Sequence, residues 1–213
     1  EIQRDDAAFV SKKRAKQGLP PVEPLYTAHD ADKAVRQFVG INYDRPFPVT
    51  DGVTVTFRDA GHILGAAQVV FDIHENGRQF RYLFSGDIGR GADDILRDPQ
   101  PVENVDYLQV ESTYGARVHA PKTSANAEVG QMVRETLERK GKVIIPSFSV
   151  GRTQQIVYTL HQLTLAGELP RVPIFVDSPL SVNATEVYRL HPECFNEAIY
   201  RFLREKENPF GME

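Results

Sequence analysis

Four short stretches carry residue types that can hold a metal ion or a phosphate, and each follows an apolar run. In Asp59-Ala60-Gly61-His62-Ile63-Leu64-Gly65-Ala66-Ala67 a strand-like segment runs into a histidine flanked by glycines. Neutral imidazole is a common zinc ligand, and Gly61 and Gly65 let the backbone turn tightly against an ion. A histidine in a plain strand-end turn is the alternative. In Phe84-Ser85-Gly86-Asp87-Ile88-Gly89-Arg90 a carboxylate follows an apolar strand, where α/β active sites form, and its two oxygens could bridge two cations. Gly-Asp is also ordinary turn chemistry. In Val110-Glu111-Ser112-Thr113-Tyr114-Gly115 the acid could fix the outer nitrogen of a metal-bound histidine, or simply be solvated. In Pro146-Ser147-Phe148-Ser149-Val150-Gly151-Arg152-Thr153-Gln154-Gln155 a strand gives way to hydroxyls, a glycine and a helix start. Free N–H groups there favour an anion, and Arg152 offers a planar fork for phosphate. Capping by Ser149 or Thr153 would need no ligand.

The elements that must position these residues follow from periodicity. Residues 5–17 read as a helix with basic residues toward its end, and 30–38 as a second. Gly18, Pro20, Pro21 and Pro24 force an extended connector between them. Strands are expected at 53–57, 68–74 and 79–84, the last two forming a hairpin around Gly77, with a short buried strand at 107–111. From about residue 120 the rhythm changes. Helices are expected at 124–140, stopped by Gly141, and at 153–166, 181–190 and 196–205. Apolar strands at 143–146 and 172–176 alternate with them, which argues for a parallel sheet covered by helices. The fold class is therefore α/β, with a β-rich first half. No internal repeat or low-complexity tract is visible.

Bulk properties narrow the field. The chain has 213 residues, 41% hydrophobic and 25% charged, within the globular range. With 25 basic and 29 acidic residues its net charge is −4, without the basic excess of a general nucleic-acid binder. A nucleic-acid substrate would have to meet a local basic groove, or metal ions that supply positive charge. The single cysteine, Cys194, excludes an internal disulfide framework and fits a reducing cytosol, so a cytoplasmic location is expected. No apolar run approaches the ~20 residues that span a bilayer, and the first residues lack a signal-peptide pattern. No membrane partner is expected. Both ends read as cut, since the chain starts without Met and its last residues have no tail character.

The order of the four motifs is more specific than any one of them. Together they resemble the β-CASP branch of the metallo-β-lactamase superfamily, in its RNA-processing form, which includes ribonuclease J and the endonuclease of messenger-RNA 3′-end cleavage. Gly-His-Ile-Leu-Gly-Ala-Ala looks like that family's third metal motif and Ser-Gly-Asp-Ile-Gly-Arg its fourth. Glu-Ser-Thr-Tyr-Gly resembles the acidic motif that opens the β-CASP insert. Pro-Ser-Phe-Ser-Val-Gly-Arg-Thr-Gln and Val176-Asp177-Ser178-Pro179-Leu180 resemble segments within it.

The resemblance implies part of an αββα sandwich over residues 1–118 and part of an inserted β-CASP α/β domain, with a mainly parallel sheet, over 119–213. It implies two zinc ions per intact site, with His62 a ligand of one, Asp87 bridging both and Glu111 orienting a histidine ligand. Ser147, Ser149 and Arg152 would lie near the substrate path, with His119 on the substrate side. A hydroxide between the metals would attack phosphorus. Single-stranded RNA would be the substrate, since a narrow cleft admits one extended strand, with Arg90, Arg117 and Arg152 as candidate lining. The family's His-x-His-x-Asp-His string does not occur here, so the chain reads as an internal piece, inactive by itself. A DNA-repair nuclease of the same superfamily and a catalytically dead scaffold are the alternative readings, and a homo-oligomer is left open. His29, His74, His161 and His191 are read as surface or packing residues, and Cys194 as buried and inert.

Overall fold

The computed structural model describes residues 2–119 and 122–205 and divides the chain into two compact units, 1–42 and 43–213. The first unit holds helices α1 (Ile2–Ala15) and α2 (Ala28–Val35). Lys12, Lys13 and Arg14 fill the last turn of α1, opposite the carbonyl end of its dipole. α2 starts at a capping box: Thr27 accepts from the Asp30 N–H, and the Asp30 carboxylate accepts from the Thr27 N–H at 2.9 Å. It begins and ends earlier than its hydrophobic pattern suggests, leaving Phe38 and Val39 exposed.

The second unit is built on a five-stranded sheet in the order β1-β2-β3-β4-β5. β1 spans Phe47–Thr50, β2 Val53–Asp59, β3 Ala67–Glu75, β4 Arg78–Phe84 and β5 Tyr107–Gln109. β1 through β4 pair antiparallel, and β5 joins β4 in parallel. In-register partners line up by face: Thr56, Val70 and Leu83 on one, Val55, Phe71 and Tyr82 on the other. The Phe71 and Tyr82 rings lie 5.5 Å apart. β1 was not evident in the pattern because Pro46 and Pro48 flank Phe47; as an edge strand it tolerates the missing N–H.

Helices α3 (Lys122–Glu138), α4 (Arg152–Leu165), α5 (Pro179–Leu190) and α6 (Glu197–Glu205) follow. α3 ends as Lys140, at φ 56°, takes the left-handed position one residue before the expected Gly141, and the Gly141 N–H reaches the Thr136 carbonyl at 2.8 Å. Val133 of α3 packs with Leu160, Leu163 and Leu169, while Ile95 and Leu96 pack with Tyr158, Tyr188, Phe195 and Ile199. The mixed α/β class is as expected. The strands expected at 143–146 and 172–176 do not form a ladder. Most of their side chains stand in solvent, Ile144 at 89% and Phe175 at 88% exposure, while Val172 and Val176 are half-buried. Apolar content alone does not make a strand; hydrogen bonds to a neighbour do.

Candidate metal centre

Topology brings three of the four motifs to one end of the sheet. β2 and β4 both run antiparallel to β3, so they point the same way, and β5 is parallel to β4. The loops after β2, β4 and β5 therefore emerge on one edge, carrying His62, Asp87 and Glu111.

Close backbone approaches and side-chain hydrogen bonds together hold these loops. Gly61 has φ 58°, and a Cβ there would sit 2.6 Å from the Arg97 carbonyl oxygen. A Cβ on Gly89 would fall 1.8 Å from the Gly61 oxygen, so only glycine permits this approach. The Gly89 N–H donates to the Ala60 carbonyl at 2.8 Å. The buried Asp59 carboxylate accepts the Gly61 N–H at 2.9 Å, and the Tyr43 hydroxyl donates to the Ala66 carbonyl at 2.9 Å, pinning both ends of the His62 loop. Burial pushes the Asp59 carboxyl and the Tyr43 phenol upward from their usual values. Ser85, 1% exposed, accepts the Glu111 N–H at 3.1 Å and ties the second loop to the third.

Within this frame His62 Nε2 and Asp87 Oδ2 face each other at 4.0 Å, with side chains 43% and 71% exposed. Donors of a tetrahedral zinc set at bond lengths of about 2.0–2.2 Å stand closer together than this gap, so a small inward turn of the two exposed side chains would bring both onto one cation. A carboxylate and an imidazole are also the right donor chemistry for a divalent metal. Two donors are half of a tetrahedral set, and among the described residues no group of three or more His, Cys, Asp or Glu side chains is gathered. The pair fits a metal as part of a larger ligand set.

Glu111 stands beside the pair. Its Oε1 accepts the Ile88 N–H at 3.0 Å and its Oε2 the Thr113 N–H at 3.3 Å. Hydrogen bonds from the Thr113 side chain, then from the Ile88 and Thr113 N–H groups, with the nearby His62, hold its carboxyl below the usual glutamate value. The Ile88 N–H belongs to the Asp87 loop and Thr113 to the loop of Glu111 itself, so Glu111 ties the Asp87 loop to its own.

The other expected site residues lie elsewhere in the same unit. Ser147 shares a hydrogen bond with Thr153 at 2.8 Å, and Ser149 lies 3.4 Å from Ser178, the N-cap of α5. Gly151 precedes α4 with no side-chain cap, and Arg152 is exposed at its first position. A Cβ on Gly151 would touch Ile63 at 3.4 Å, so the start of α4 lies against the His62 loop. His119 packs edge-on against Tyr114 at 4.7 Å. Cys194 is part-buried, and burial raises its thiol. Sequence reasoning gave no role to Ser85, Asp59 or Tyr43; only Asp59, two residues before a glycine, carried a signal, that of an Asx turn.

Comparison with known proteins points to the same family as the resemblance. The family model for the Beta-Casp domain matches residues 153–213. An RNase J-like protein of Methanocaldococcus jannaschii is 31% identical over 189 residues, covering 87% of this chain and 44% of that protein. A ribonuclease of Thermus thermophilus is 32% identical over 188 residues, covering 88% and 42%. Subunit 3 of the cleavage and polyadenylation specificity factor of Dictyostelium discoideum is 32% identical over 188 residues, covering 87% and 24%. The chain thus spans less than half the length of these curated relatives.

Proposed function

We propose that the chain belongs to the β-CASP branch of the metallo-β-lactamase superfamily and that the whole protein is a zinc-dependent hydrolase of phosphodiester bonds in single-stranded RNA. The observation that carries this reading is the His62–Asp87 pair at 4.0 Å, on loops fastened by backbone contacts. His62 would hold one ion and Asp87 would bridge two. Bound there, the metal supplies Lewis-acid charge that activates water and neutralises phosphate oxygens. Glu111 keeps the Asp87 loop in place through the Ile88 N–H. Arg152, exposed at the head of α4 next to the His62 loop, offers its guanidinium to the RNA backbone, with Ser147 and Ser149 nearby and His119 on the same path. The names of the relatives, two ribonucleases and a cleavage-factor subunit, favour RNA over DNA. We take 1–118 as belonging to the lactamase-type core and 119–213 to the inserted domain, and a cytoplasmic location on the strength of the single cysteine.

The test is cleavage of labelled single-stranded RNA and DNA by the full-length protein, with zinc measured by mass spectrometry. RNA cleavage is expected, and Asp87→Ala should lower it by more than about a hundredfold together with zinc content. Unchanged activity removes the metal assignment; preference for DNA removes the substrate.

A further inference from the structure

One short segment joins the helices to the metal loops. Asp93 folds it back on itself, its Oδ1 accepting the N–H groups of Ile95 at 2.8 Å and Leu96 at 2.9 Å. Its other oxygen accepts the Gln155 side-chain amide from the first turn of α4. The Asp93 carbonyl accepts Asn196 Nδ2 at 2.8 Å, and the Asn196 N–H donates to the Ile95 carbonyl at 2.8 Å. Leu96 pairs with Phe195 in an isolated bridge, and Arg97 Nε donates to the Phe195 carbonyl at 3.2 Å. Ile95 and Leu96 lie in the same apolar cluster as Tyr158 of α4 and Ile199 of α6. A few residues on, Arg97 and Pro99 press against Gly61, directly beside His62.

Apolar packing is non-directional and would allow the helices to slide over this segment. Hydrogen bonds to a carboxylate are directional and strong, and fix one arrangement. The contact also sits one turn from the place where Gly151 meets Ile63. We infer that Asp93 is a positioning residue: through Gln155 it sets where the head of α4, with Arg152, stands against the His62 loop, and so where an RNA phosphate is presented to the His62–Asp87 pair. The kinetic consequence rests on the RNA-hydrolase reading; the geometric one does not.

The experiment uses the full-length protein and a reciprocal swap. Asp93→Ala removes the acceptor that faces Gln155, and Gln155→Glu places two carboxylates together. Each is expected to raise KM for single-stranded RNA about tenfold with zinc content unchanged, and to speed amide exchange in peptides covering 152–158 and 194–199. The Asp93→Asn/Gln155→Glu double variant restores one donor and one acceptor. It should return KM to within about threefold of wild type and restore exchange protection. Single variants with wild-type KM and exchange overturn the proposal, as does a double variant no better than the singles. If Asp93→Ala yields no soluble protein, Gln155→Ala removes the α4 partner alone and should give the same rise in KM; no rise overturns it. A wild-type protein without RNA cleavage would sink the functional reading, and the exchange measurements with their rescue would still decide the role of Asp93.

Discussion

Glycines 61 and 89 do what no side chain could at the candidate centre: they let two loops touch through their backbones. Gly89→Ala would drive a methyl group to 1.8 Å from the Gly61 oxygen, so the loops must part. We expect about 1–3 kcal/mol of lost stability, read from the urea midpoint, and weakened zinc binding in the same variant. Glu111 gives a pH-dependent test. Its folded carboxyl lies below the ordinary value of 4.5, so its ionised form stabilises the fold at higher pH and that stability is lost as pH falls through the lowered value. The Tm difference between wild type and Glu111→Gln should therefore be present at neutral pH and shrink to nothing in acid. A difference that grows on acidification would contradict the assigned hydrogen bonds. His62 and Asp87 were legible because their types and strand-end positions are written in the sequence. The fit of Gly89 on Gly61 was not, since it depends on the distance between loops that the sheet sets later.

Among the elements, β2, β3 and β4 were readable from alternation and β-branched content, and most helices from period and flanking signals, within a few residues at their ends. The segments 143–146 and 172–176 were misread because strand formation needs a neighbour to bond to, which residue pattern does not record. Helix α5 has a side-chain cap and α4 has none. The Ser178 hydroxyl accepts the Ser181 N–H at 3.2 Å, so Ser178→Ala should cost about 1 kcal/mol in a denaturation series. A loss confined to exchange protection in α5, with α4 untouched, would place the effect in the cap.

For the whole molecule, the exposed apolar side chains are the feature that most needs care. Ile144, Phe148 and Phe175 are each almost fully in solvent on segments that lead into α4 and α5. Exposed apolar surface of this kind favours association. Phe175→Ser in the 213-residue chain should leave Tm unchanged and lower light scattering at high concentration; a large fall in Tm would mean that Phe175 is packed in solution. The sheet edge has another consequence, for the order in which the molecule assembles. The Ile88–Glu111 bond closes over 23 residues and the His62 and Asp87 loops belong to strands separated only by β3, whereas Asn196 reaches Asp93 across 103 residues. Short loops close with less entropy lost than long ones. Refolding traces should therefore show the His62–Asp87 edge protected first, with the α6 contact arriving in a later phase, so that the cation's anchorage exists before the helices that would steer its substrate.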